Sequence, residues 1–329
     1  MKVLMIGGTG IISTAVTEEL LKRGVDVTLL NRGSKSVPEG VTHLVGDVND
    51  EPMIHALIED AYYDCIVDWI AFTKEHVVRD YRLFKGKSDQ YIFISSASAY
   101  KKPLPTEPIT EAWPLDNQYW TYSKNKEICE ETLRELEDDD FSVTIIRPSH
   151  TYNEQMMIVQ LKSHHHPFGI FKRIEAGLPI ILPDGGTHQW TITYNQDFAK
   201  GFVDVIGHPD TYGKTYHLTS EMTYTWKELL DLYYEAFNQT PNYVSIPLED
   251  ILVAFPEYEG ELKGDKDKDT LFDNAKIKQV AKHYTSETRY ETIAKKVVAY
   301  YQNNPALHHY DEAFKKRYDA LIERFIKKD

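Results

Sequence analysis

Three places in the sequence carry chemistry by residue type and spacing. Tyr122 and Lys126 stand four apart in Tyr119-Trp120-Thr121-Tyr122-Ser123-Lys124-Asn125-Lys126, so on a helix they share one face about one turn apart. A phenol whose ordinary pKa is about 10 is a poor base at neutral pH, and an ammonium one turn away favours the phenolate. Tyr119 competes by position, but the residue four beyond it is Ser123, which supplies no charge. Ser96, in Ser95-Ser96-Ala97-Ser98-Ala99-Tyr100, closes an apolar run and presents a hydroxyl. Near the N-terminus, Gly7-Gly8-Thr9-Gly10 lets backbone N–H groups approach an anion closely.

The elements that must position these groups follow from the pattern around them. The run Lys2 to Ile6 leads into the glycines, an amphipathic stretch runs from Thr14 to Lys22, Arg23-Gly24 stops it, and a second apolar run spans Val25 to Leu30. Strand, glycine turn, helix, glycine stop, strand is how a dinucleotide-binding βαβ unit begins. Ser13 stands where a third glycine would normally allow close helix-on-strand contact, and it is small enough to keep most of it. Strands are expected at Thr42 to Val45, Cys65 to Ile70, Gln90 to Ile94 and Val143 to Ile146, with helices at Pro52 to Ala61, His76 to Phe84 and from Tyr119 to about Leu136. This alternation predicts an open parallel sheet, with ligands beyond the carboxyl ends of its strands, where each motif so far lies. Further helices are expected near Phe171 to Ala176, Gln196 to Ile206, Trp226 to Phe237, Tyr290 to Gln302 and Asp311 to Lys327. Lys101 to Asp116 and Gly260 to Asp269 read as loops.

Composition bounds the partners. A chain of 329 residues with 42% hydrophobic content can bury a substantial core. A net charge of −14 argues against nucleic acid or an anionic membrane as the main partner, since either needs a clustered basic surface. The two cysteines, Cys65 and Cys129, form no CxxC pair and exclude a disulfide framework or zinc ribbon. No apolar run reaches membrane-span length and no leader pattern opens the chain, so a reduced, cytoplasmic setting is expected. His164-His165-His166 reads as a polar loop rather than a metal site, because consecutive loop residues rarely converge on one ion; no metal is expected.

Taken together, the glycine turn, the serine four residues before Tyr100, and the Tyr122/Lys126 step resemble the extended short-chain dehydrogenase/reductase family, in its NAD-dependent epimerase/dehydratase branch. Gly177-Leu178-Pro179-Ile180 and the segment from Trp190 to Phe198 extend the resemblance over nearly the whole chain. It implies an α/β fold: a Rossmann-type doubly wound parallel sheet with a smaller C-terminal substrate-binding layer. The division would fall at 1–165 and 166–329, with strands near 187–195 and 215–218 returning to the first part. It implies hydride transfer at a hydroxyl-bearing carbon of a sugar or nucleotide sugar, with Tyr122 as acid/base. Lys126 would lower the pKa of Tyr122 and hold the nicotinamide ribose, and Ser96 would bond the substrate oxygen. For the cofactor it implies Gly7, Gly10, Ile11 and Ile12 at the pyrophosphate, Asp47 and Val48 at the adenine, Trp69, Ile70 and Ala71 beside ribose and phosphates, and Pro148 and Ser149 along the nicotinamide. At the end of the second strand Asn31 replaces the acid of NAD-selective members and Arg32 follows it. This favours NADP over NAD, unless Arg32 and Lys35 are simply solvated charges.

On the substrate side the sequence departs from the pattern. Trp190 and Gln279 occupy places where nucleotide-sugar enzymes carry diphosphate-binding arginines, with Lys172, Arg173 and Arg289 as candidate replacements. Trp190 and His150 are substrate-contact candidates, although His150 equally suits a buried, hydrogen-bonded role. Dehydration is disfavoured because Ala97 and Ser98, not an acid pair, follow Ser96. Epimerase and single-transfer oxidoreductase both stay open. The partner is expected to be a small sugar-like molecule, with room for a homodimer. The alternative is a catalytically silent dinucleotide-binding regulator or RNA-associated protein on the same fold.

Overall fold

The structure, a computed structural model, describes residues 1–327; the last two residues of the expected 166–329 region lie outside it. The chain opens β1 (Lys2–Ile6), α1 (Ile11–Lys22), β2 (Asp26–Asn31), β3 (Thr42–Val45), α2 (Glu51–Leu57), β4 (Cys65–Asp68), α3 (Lys74–Phe84), β5 (Tyr91–Ile94), α4 (Thr121–Leu136), β6 (Val143–Pro148) and β7 (His150–Tyr152). It continues through α5 (Gly169–Glu175), β8 (Ile180–Pro183), β9 (Gln189–Tyr194), α6 (Asn195–Val203), β10 (Thr215–Leu218), β11 (Thr223–Thr225), α7 (Trp226–Ala236), β12 (Tyr243–Ile246) and α8 (Leu248–Ala254). Two longer helices, Tyr290–Gln302 and Glu312–Ile326, follow.

Seven strands form one sheet in the order β10-β6-β5-β4-β1-β2-β3, and each adjacent pair is parallel. From β1 the chain builds outward through β2 and β3, then crosses back to β4 on the other side. The point where strand order reverses therefore lies between β1 and β4, where such sheets open a crevice at their carboxyl ends. Both faces are covered. Val3 and Met5 pack with Ala15, Val16, Phe198 and Phe202 on one side, while Leu4 and Ile6 pack with Ile54, Val77, Leu83 and Leu133 on the other. An apolar run without polar alternation is what a strand buried on both faces requires.

Residues 215–218 lie at the edge of this sheet beside β6, but 189–194 do not join it. They form the centre of a separate three-stranded sheet, parallel to β7 and antiparallel to β11. A second small sheet pairs β8 with β12, and the C-terminal elements enclose their own large apolar core. The expected loop over 260–269 is instead partly helical: Glu259–Glu261 leads into one π-turn at Leu262–Lys266. Glycines there let the backbone close on a tryptophan ring: a Cβ on Gly260 would fall 2.5 Å from Trp120. Among the described residues no helix is long and apolar enough to cross a membrane.

Candidate active site

The glycine loop leaves β1 and enters α1 at the reversal point. Gly7 sits at φ +98°, a backbone that L side chains rarely adopt, and a Cβ there would lie 2.9 Å from Ile70 Cγ2. Ser13 is buried and its hydroxyl accepts the Gly10 N–H at 2.8 Å, so the serine closes the turn that a third glycine would leave open. The loop and the N-terminus of α1 face a cavity lined by Gly7, Gly10, Ile11, Ile12, Trp69, Ile70, Pro148, Tyr122 and Lys126. These residues fit a dinucleotide pyrophosphate: a helix N-terminus behind glycines that permit close approach.

Two further cavities adjoin this one. Toward β2, Gly7, Thr9, Ile70 and Phe72 are shared with a cavity lined by Asn31, Arg32, Asp47 and Val48. Asn31 does more than line it. Its amide donates to Gly7 O at 3.1 Å and its oxygen accepts from Gly33 N at 2.9 Å, tying the end of β2 to the glycine loop. Lys35 reaches back to Thr9 O at 3.2 Å. Toward the C-terminal part, Ile12, Tyr122, Pro148 and Thr151 are shared with a cavity that also holds Ser96, Ser149, His150 and Trp190. Of the residues named from the sequence, Ala71 lies behind the wall rather than on it, and contributes its carbonyl.

That carbonyl fixes Lys126. The Lys126 ammonium is buried and donates to Ala71 O and Ile94 O, each at 2.7 Å, with the Phe72 and Phe93 rings 4.6 and 4.7 Å away. Burial pushes its pKa down to about 8. Behind it, Asp68 Oδ1 accepts Ile70 N at 2.5 Å and Ala71 N at 2.8 Å, which sets the turn that presents the carbonyl. Asp68 and Asp80 share a closed site with Arg79, and burial, then the charge of Asp68, holds the Asp80 carboxyl well above the usual range.

The electrostatics of Tyr122 differ from the simple expectation of a lowered pKa. Burial raises its phenol, a hydrogen bond with Ser96 works in the opposite direction, and the charge of Asp265 adds to the rise. Lys126 Nζ lies 5.8 Å from the centre of the Tyr122 ring, bonded to carbonyls rather than to the phenol. Ser96 caps the short turn Ala97–Ala99 and begins a hydroxyl chain, 2.8 Å to Ser98 Oγ and 2.7 Å on to Ser123 Oγ.

In the Ser96 cavity the His150 and Trp190 rings meet in a tilted contact, centres 4.6 Å apart, and Trp190 meets Trp226 likewise at 4.3 Å. Burial, followed by the charges of Lys266 and Lys162, lowers the His150 pKa to about 3, so the ring is neutral; its Nε2 is buried without a partner. The candidate replacement cations lie elsewhere: Arg173 pairs with Asp319, Lys172 with Glu175 and Arg289 with Glu291, and none lines this cavity. Trp120, Phe72, Ser98 and Asp265 line the cleft without having been singled out from the sequence. Ser98 had a signal in its two-residue spacing from Ser96. Asp265 had none, lying in a charged run that reads as a solvated loop.

A family described as "NAD dependent epimerase/dehydratase family" matches residues 3–218. Among curated proteins, the chain is 27% identical to a UDP-glucose 4-epimerase of Bifidobacterium longum over 282 residues, 71% of this chain and 81% of that one. It is 26% identical to the chloroplast stem-loop binding protein of 41 kDa b of Arabidopsis thaliana over 243 residues, 69% of this chain but only 61% of that protein's length. The solved structure of UDP-glucose 4-epimerase from Bifidobacterium longum with NAD+ and UDP superposes with a TM-score of 0.71 at 20% identity, covering 93% of this chain and 99% of that one. The epimerase Mth375 of Methanothermobacter thermautotrophicus gives 0.73 at 15% identity, covering 93% of each.

Proposed function

The chain belongs to the NAD dependent epimerase/dehydratase family, and on that premise we propose that it is a nicotinamide-dependent oxidoreductase or epimerase acting at a hydroxyl-bearing carbon of a sugar, with Tyr122 as acid/base. The observation that carries this reading is the position of Tyr122, which lines both the cavity of the glycine loop and the cavity of Ser96. Hydride taken from a substrate carbon can therefore leave on one side of the phenol while the hydroxyl proton is taken by it. A nicotinamide bound in the cavity of the glycine loop would supply the hydride acceptor and donor, and its oxidised form would add positive charge to the cleft that Tyr122 lines. Ser96 holds the substrate oxygen next to Tyr122, and its bond to the phenol favours the phenolate against burial. Lys126, fixed by two carbonyls, orients the ribose side of the cleft. Gly7, Gly10 and the start of α1 hold the pyrophosphate, and Asp47 and Val48 bound the adenine end.

At the adenosine ribose, Asn31 occupies the place of a carboxylate and Arg32 shares its cavity. An uncharged amide removes repulsion of a 2′-phosphate and a guanidinium can pair with one, which favours NADP. Retention and re-reduction of the keto product from its other face gives epimerisation; release after one transfer gives a dehydrogenase or reductase. The Arabidopsis relative's name, a stem-loop binding protein, makes a nucleic-acid-binding role the alternative. The net charge of −14 and the retained Ser96, Tyr122 and Lys126 weigh against it. The test is hydride exchange: purified protein with added NADP or NAD is offered candidate sugars while nicotinamide absorbance and product stereochemistry are followed. Conversion by the wild type that Tyr122→Phe abolishes supports the proposal. Equal conversion by both proteins overturns the role of Tyr122, and no exchange with any sugar overturns the enzymatic reading.

A further inference from the structure

The cavity beyond Tyr122 holds one charged lining residue, Asp265, and no lysine or arginine lines it. Among the described residues the Asp265 carboxyl makes no hydrogen bond and no ion pair, and burial pushes its pKa up, although the backbone on either side of it is anchored. Gly264 O accepts from Asn117 at 2.7 Å, and Lys266 O accepts from the Trp226 indole at 3.1 Å. The π-turn that carries it packs on Trp120, where a Cβ on Gly264 would fall 3.1 Å from the tryptophan Cβ. Trp120 in turn lies 5.0 Å from the Tyr122 ring. A carboxyl without hydrogen-bond partners is thus held by a fixed backbone on the wall of the cavity that Ser96 also lines, near enough for its charge to act on Tyr122. One-turn π-bulges often occur at functional sites.

The nearest cations do not neutralise this wall for a ligand. Lys266 is bonded to Glu261 at 3.0 Å, and Lys102, whose charge also acts on Asp265, is buried and off the cavity lining; burial lowers its pKa. His150 faces the same cavity as an uncharged ring. A phosphate here would meet a carboxyl and no lining cation to bond it, since Lys102 and Lys266 act on Asp265 only from outside the lining, whereas a hydroxyl or ammonium would supply the donor that Asp265 lacks. We infer that the substrate is a phosphate-free, polyhydroxylated molecule whose hydroxyl or protonated amine donates a hydrogen bond to Asp265. The inference rests on the reading of this cleft as a sugar site, and it sets this chain apart from the relatives named for UDP-glucose.

Calorimetry on the dinucleotide-loaded protein tests it, with four probes: a neutral free hexose, the corresponding 2-amino sugar, the hexose 1-phosphate and the UDP-hexose. Both free sugars are expected to bind more tightly than either phosphorylated form; a preference between them identifies amine or hydroxyl as the donor. Asp265→Asn, which keeps the shape, is expected to weaken free-sugar binding by about ten- to a hundredfold, the range for a lost charged hydrogen bond. It should also narrow the gap to the UDP-hexose, with dinucleotide affinity unchanged and the thermal midpoint not lowered, since burial already opposes the Asp265 charge; Asp265→Ala repeats the comparison. Tighter binding of the UDP-hexose than of free sugars by the wild type overturns the inference, as does unchanged free-sugar affinity in Asp265→Asn. Hydride exchange with UDP-sugars alone would refute it while sustaining the enzymatic reading, so the two fail separately.

Discussion

Replacing Lys126 by methionine separates the energetic role of the buried ammonium from its role in the cleft. Burial pushes Lys126 down to about 8 from an ordinary 10.5, which corresponds to roughly 3 kcal/mol against the charged form in the folded chain. Methionine removes that penalty at neutral pH. It also strips the donor from Ala71 O and Ile94 O, at about 1–3 kcal/mol for each carbonyl left unsatisfied. The two effects oppose each other, so the net change in stability at pH 7 is expected to stay within about 3 kcal/mol. Activity, by contrast, should fall by about 10²-fold, the cost of misplacing the reacting groups once the ribose side of the cleft loses the residue that orients it. The pH dependence carries the sharper test. The folded chain releases this proton near 8 and the unfolded chain near 10.5, so between those values the unfolded state binds more protons. Wild-type stability therefore rises with pH relative to Lys126→Met, by up to about 1.4 kcal/mol per pH unit. Urea titrations of both proteins at pH 7, 8, 9 and 10 measure the difference directly, and the tyrosine contributions common to both cancel. A stability difference that stays flat over this range would refute a charge depressed by burial.

Tyr122→Phe should lower hydride transfer by about 10²–10⁴ while dinucleotide affinity, measured by fluorescence titration, holds. Gly7→Ala forces a side chain into a positive-φ position 2.9 Å from Ile70, and is expected to cost about 1–3 kcal/mol of stability; a thermal melt and a dinucleotide titration would check that affinity falls with it. Arg32→Ala should weaken NADP binding by about tenfold or more and leave NAD unchanged; equal losses for both dinucleotides would remove Arg32 from the 2′-phosphate.

Much of the dinucleotide half was legible because its signals are local. The glycines after β1, the strand–helix alternation and the Tyr122/Lys126 step each depend on residues close in sequence, and the parallel sheet follows from them. The C-terminal half was harder to read. Residues 189–194 read as a strand, but their alternation of polar and apolar residues does not name a sheet, and they pair with β7 and β11 instead of returning to the main sheet, because pairing partners are chosen by long-range packing that periodicity does not encode. The 260–269 run carries the charge of a solvated loop yet folds into a π-turn against Trp120, and only the two glycines facing that ring hint at it.

The sequence by itself determined which groups could do chemistry: a phenol and an amine one helical turn apart, a serine at a strand end, glycines before a helix, and a family pattern that joins them. The tertiary structure decided their charge and company. Lys126 is buried between two carbonyls instead of standing free beside the phenol, and burial raises that phenol, with the charge of Asp265, from 143 residues along the chain, adding to the rise. The physical reason is that desolvation and Coulomb interaction depend on what surrounds a group in space, and those surroundings come from parts of the chain that local sequence does not identify.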